Sequence, residues 1–224
     1  MAGVADERLR RLERQAQSGD LEAGAQLLRE RLRLGEVTPL GLRVAAFVGH
    51  PAARAAAPQV APAPEDGEAW AAALWAFGRD LGVRAAVALG RALLPWFEEQ
   101  LPGDRRGRRA VEAAEAWLAC PCETCRVAAR LASEDAAELE ATAVDLALAD
   151  GAVFAATVLS LAALVAGELR DAHAPLHLAR ALVEAETALA EAGRAPGSAR
   201  AIATAALLGW ALPGAAPPEL GAVE

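Results

Sequence analysis

The chain has no tyrosine, no lysine, no asparagine and a single isoleucine. Strands draw on β-branched and aromatic residues, whereas Ala, Leu, Arg and Glu rank high as helix formers. Aromatic residues make up only 4% and hydrophobic ones, mostly Ala, Leu and Val, 54%. That balance excludes a sheet-based fold and predicts an all-α protein. The missing lysine carries no functional message: all 22 basic residues are arginine, a bias that goes with the abundant Ala, Gly and Pro of GC-rich coding sequence.

A basic excess is also absent. The net charge is −8, where a nucleic-acid binder would show a basic balance and a basic face, so DNA and RNA are not expected as partners. Three cysteines within six residues are too few and too close for a disulfide framework. The N-terminal residues lack the apolar core of a secretion signal, and the two observations together predict a cytoplasmic location. A long uncharged run, Gly151 to Gly167, falls short of the ~20 residues of a membrane span and reads as a buried helix, with no membrane partner. Phosphate-binding glycine loops, a Gly-x-Ser-x-Gly elbow, His-Glu-x-x-His and EF-hand loops are missing as well. The common enzyme classes go with them, and the expectation is a non-enzymatic protein without a cofactor.

What is present is a succession of about eleven helices separated by stop signals. Segments near 5–17 and 20–34 are broken at Ser18-Gly19-Asp20, with Asp20 a good N-cap. Thr38-Pro39 starts a third helix that ends at Gly49, and His50-Pro51 opens a short fourth one with His50 as a structural cap. Residues 1–56 thus read as a helical-hairpin or repeat-like module. The Pro/Ala-rich stretch 57–66 reads as a linker. A multi-helix bundle is expected over 67–212, with helices near 67–78, 80–97, 105–118, 121–132, 134–149, 151–169, 173–192 and 198–210. Ser133, Asp171 and Ser198 are candidate caps, and Gly193 and Gly209 candidate helix ends. The apolar helix near 152–167 belongs at the centre of that bundle, and 213–224 reads as a flexible tail.

One stretch stands apart from the Ala/Leu background. Leu93 to Trp117 combines a helix end, a Pro102-Gly103-Asp104 corner and a new helix that opens on Arg105, Arg106, Arg108 and Arg109. Cations at a helix N-terminus face the positive end of the macrodipole, so acidic groups must compensate. Glu98, Glu99 and Glu112 are close enough in sequence to do so. Two readings stay open: a solvated, self-paired corner, or a surface whose arginine forks grip the carboxylates of a partner. The candidate partner-binding residues are Trp96, Asp104, Arg105, Arg106, Arg108, Arg109 and Glu112.

The same stretch resembles the immunity-five-like family of immunity proteins from bacterial polymorphic toxin systems. The residues that carry the resemblance are Leu94, Pro95, Phe97, Glu98, Pro102, Asp104, Arg106, Arg108, Ala110, Glu112, Ala113 and Trp117. It extends over roughly residues 75–170. Gly107 stands where the family usually has proline and Arg105 where an acidic residue is common, which predicts a looser and more basic corner. The resemblance implies an all-helical domain that binds and neutralises a cognate toxin. The alternatives are a helical scaffold or adaptor without a toxin partner, and a metal-binding protein using the cysteine cluster.

That cluster is Cys120-Pro121-Cys122-Glu123-Thr124-Cys125. Three thiolates and one histidine would complete a tetrahedral zinc site, and His173 and His177 lie one helical turn apart. No second Cys-x-x-Cys pair exists, however, and reduced cysteines packing in an interhelical turn are the alternative. The Glu-x-x-His repeats of a di-iron bundle are absent, which leaves His173 and His177 as surface or capping residues. Glu112 and Glu115 share a helix face, but neighbouring arginines keep them ionised and unsuited to a general acid.

Overall fold

The computed structural model describes residues 2–168 and 172–213, which form eleven α-helices and no strand. The protein is an all-α multi-helix bundle, as its composition predicts. By contacts the described residues divide into two compact units, one reaching to Ala63 together with residues 207–213, the other Pro64–Ala206.

In the first unit, α1 (Ala2–Gln17) packs on α2 (Leu21–Leu34), α2 on α4 (Pro51–Ala56), and α3 (Pro39–Phe47) on α4. Local chemistry sets each boundary. Asp20 Oδ1 accepts the Ala23 N–H at 3.0 Å, and Thr38 Oγ1 accepts that of Gly41 at 2.9 Å. The Nδ1 of His50 accepts the Ala53 N–H at 3.2 Å, and burial lowers the histidine's pKa, so it caps as neutral imidazole. Leu12, Ala23 and Leu27 form a small core between α1 and α2. The expected linker does not hang free between Ala57 and Ala63: Ala57 is buried, and the Ala63 N–H donates to the Phe47 carbonyl at 3.1 Å. Residues Leu207–Leu212, expected in the bundle, cluster with this unit instead. Gly41 allows that approach, since a Cβ there would stand 2.6 Å from the Ala211 carbonyl oxygen.

The second unit holds α5 (Gly67–Trp75), α6 (Arg79–Gln100), α7 (Arg106–Ala119), α8 (Glu123–Asp145), α9 (Asp150–Gly167), α10 (Ala174–Glu191) and the start of α11 (Ser198–Ala211). The hub is α9, packed against α6, α7, α8 and α10. By length and composition it is apolar enough to cross a membrane, yet 78% of it is buried among these neighbours. Gly167 lets α8 cross closely, because a Cβ there would meet the Arg130 backbone nitrogen at 2.6 Å.

Four boundaries differ from expectation. The predicted helices 121–132 and 134–149 are one helix, α8, and Ser133 is an interior residue rather than a cap. It is buried against α9, where Ser160 Oγ donates to its carbonyl at 3.1 Å. The Ser133 hydroxyl itself lies 3.4 Å from the Ser160 hydroxyl, an interhelical partner in place of the helix N–H that a local cap would bind. Pro95 lies inside α6, which continues to Gln100; its ring faces solvent. Ser198 is the first residue of α11, and the exposed helix N–H groups are met by Glu186 of α10, whose Oε2 accepts from Ala199 at 2.9 Å. Gly209 is interior to α11, whereas Gly193 follows α10 with a left-handed φ of +76°. The proposed cap Asp171 and nearly all of the expected tail, 214–224, lie outside the described residues.

Candidate functional site

The α6–α7 corner is built by short-range chemistry. Gly103 takes a φ of +95°, a conformation costly for residues with a Cβ. Asp104 then turns its Oδ1 to the Arg106 N–H at 3.0 Å. The same carboxylate grips the Arg106 guanidinium, Nη2 to Oδ2 at 2.6 Å and Nε to both oxygens at 3.1 Å. These hydrogen bonds hold the Asp104 carboxyl below its ordinary pKa. The positive end of α7 is therefore neutralised by Asp104, and the adjacent cation is tolerated because it shares that carboxylate.

The remaining arginines are committed to different extents. Arg106 Nη2 also donates to Thr142 Oγ1 at 3.0 Å, and its Nη1 lies 3.5 Å from Glu138. Arg108 forms a two-pronged pair with Glu98 at 2.7 and 2.6 Å. Arg109 reaches Asp135 at 2.8 Å. Arg105 is exposed at the N-cap of α7 and has no ion pair among the described residues. The α8 partners Asp135, Glu138 and Thr142 were not anticipated, although their spacing places them on one face of a helix.

Glu98, Gly103, Asp104, Arg105, Arg108 and Glu112 line an open groove of about 470 Å³. Of the predicted contact residues, the structure brings Asp104, Arg105, Arg108 and Glu112 together there, with Glu98 as an addition. Arg106 and Arg109 turn instead to α8. Trp96 is half-buried, and its ring tip occupies the space a Cβ on Gly151 would take. It packs on the start of α9 and does not line the groove. Nor does Gly107 loosen the corner. It is buried in the first turn of α7, where a Cβ would meet Leu159 of α9 at 2.7 Å, so it serves close packing. Glu115 is paired with Arg91, Nε to Oε1 at 2.7 Å.

At the other end of α7 the three cysteines converge, their sulfurs all within 4.8 Å of one another. Cys120 and Cys122 are exposed and Cys125 is half-exposed. The turn is tight: the Cys122 N–H donates to the Cys120 carbonyl at 2.7 Å. The Cys122 thiol is lowered to about 7, first by the backbone N–H of Cys125 and then by the thiols of Cys120 and Cys125. That N–H contact is looser than a regular N-cap bond. Cys125 is pushed up to about 11, chiefly by its hydrogen bond to Cys122. No histidine or carboxylate joins the three sulfurs among the described residues. His177 pairs with Glu168 at 3.2 Å, and His173 is exposed at the start of α10, so neither completes a Cys₃His set. Comparison with family models, curated proteins and solved structures finds no match to this chain.

Proposed function

We propose that the chain is a non-enzymatic interaction protein whose α6–α7 corner binds a protein partner, a bacterial toxin being the partner class that the resemblance implies. One observation carries this reading. Arg105 stands without an ion pair beside a groove whose other charged groups are Glu98, Arg108 and Glu112 on two packed helices and Asp104 in the turn between them. A fixed groove with both signs of charge suits a surface of complementary pattern, and its helical frame limits the ordering cost of association. Arg105 adds a planar fork able to take a partner's carboxylate. The overall charge of −8 supports electrostatic steering toward a basic partner such as a nuclease toxin in the cytoplasm.

Co-expression with the product of the neighbouring gene tests the reading. The expected result is a complex that co-purifies and restores growth. Reversing the groove, with Arg105→Glu and Glu112→Arg together, should lower affinity by about tenfold or more while leaving the helical content unchanged. A complex indifferent to these substitutions would remove the corner from the interface. Neither complex nor protection would favour the scaffold reading.

A further inference from the structure

We propose that Cys120, Cys122 and Cys125 form a three-thiolate site for a thiophilic d¹⁰ cation, Zn²⁺ in the first instance, with the fourth coordination position open to water or an exogenous ligand. The site is independent of the α6–α7 groove and of the reading given to it.

The argument starts from backbone geometry. Cys120 is the C-cap of α7 at φ −141° and ψ 88°, Pro121 follows it across the corner, and Cys122 is the extended N-cap of α8 at φ −101° and ψ 166°. An N-cap side chain folds back over the first helical turn, where Cys125 lies one turn on. Three sulfurs carried by the three-residue connection Cys120-Pro121-Cys122 and the first turn of α8 thus face one point, within 4.8 Å of one another. A Zn–S bond of about 2.3 Å places tetrahedral sulfurs ~3.8 Å apart. Closing from the observed spacing needs small rotations about the Cα–Cβ bonds of exposed or half-exposed side chains.

The surroundings favour a soft cation. Thiolates select zinc, copper(I) and their relatives, while calcium and magnesium require oxygen ligands. The nearest carboxylate in sequence, Glu123, is engaged by the Arg126 guanidinium, so it is already neutralised. The opening N–H groups of α8 point toward this end and lessen the cost of accumulating anionic sulfur. Three protein ligands and an exposed mouth match the open-site pattern, in which the metal keeps one exchangeable position. Pairing as a Cys122–Cys125 disulfide would leave Cys120 without a role. The convergence of all three sulfurs is what separates a metal site from a two-thiol redox pair.

The test uses the full chain, reduced and handled without oxygen, titrated with Co²⁺ as a spectroscopic probe and then with Zn²⁺. Sulfur-to-cobalt charge-transfer absorption should saturate at one equivalent and be displaced by Zn²⁺. Cys120→Ser, Cys122→Ser and Cys125→Ser should each weaken binding by about tenfold or more, and the triple variant should abolish the band. Circular dichroism keeps the result interpretable, because Cys120 and Cys122 are exposed and Cys125 is partly exposed, and the variants should keep native helicity. Absence of the band in the unmodified chain would overturn the proposal. So would full-strength binding by Cys120→Ser, which would reduce the site to a two-thiol pair.

Discussion

The two ends of α7 make opposite use of reactive side chains. At its start four arginines crowd an exposed corner, yet three of them are held by Asp104, Glu98 and Asp135. At its end three cysteines, the only ones in the chain, face mainly each other. The richer cluster is therefore the more committed one. A cation among thirty acidic residues readily finds a carboxylate, and its binding capacity is absorbed in holding the fold. Thiols are weak hydrogen-bonding groups and do not bond strongly to the helices around them, so their convergence remains available to a ligand.

The largest expected effect is at the buried side of the arginine corner. Arg106→Ala removes the bonds to Asp104 and Thr142 at a guanidinium only 18% exposed. Urea denaturation should show a loss of about 2–3 kcal/mol, the range for charge-assisted hydrogen bonds left unpaired. The same pair gives a pH signature. Asp104 has a depressed pKa in the folded state, so its contribution is complete above the unfolded carboxylate pKa and disappears as pH falls through the folded value. Asp104→Asn should flatten the acid limb of a stability profile; an unchanged limb would show that the corner does not depend on this carboxylate.

A smaller loss is expected from Arg108→Ala, whose pair with Glu98 is partly exposed. Solvent screening keeps the contribution of such pairs small, and the same denaturation measures it. At the cysteine corner the contrast should reverse, with little stability and much reactivity at stake. Cys122→Ser, at an exposed position, should leave the denaturation midpoint nearly unchanged. In the metal-free chain, alkylation of Cys122 should rise with a midpoint near its thiol pKa of about 7, well ahead of Cys125, which is pushed up to about 11. Equal rates at the two sulfurs, read by mass spectrometry, would contradict the asymmetry. The smallest structural effect belongs to Arg105→Ala, below about 0.5 kcal/mol, with any consequence confined to partner binding.

The caps Asp20, Thr38 and His50 were legible because each is a contact within three residues. Ser133 was misread for the converse reason. A serine ahead of Glu134-Asp135 carries the local signature of a helix start, but its actual bond is to Ser160, twenty-seven residues away. Ser198 failed similarly, since Glu186 on another helix supplies the capping oxygens. At the arginine corner the pairing with Glu98 was within reach of spacing, whereas the turn of Arg106 and Arg109 toward α8 needed the packed helices. Gly107, read as a loosened joint, proved to be a close contact with Leu159.

Composition and local signals alone determined that this protein is all-α, where most helices begin, and which two short stretches carry unusual chemistry. Helix propensity and capping act within a turn or two, so they are written in neighbouring residues. Tertiary structure decided which of those charged and nucleophilic groups are already satisfied. That outcome depends on which helices lie side by side, and packing around α9 brings Asp135 to Arg109 and leaves Arg105 and the three sulfurs facing outward.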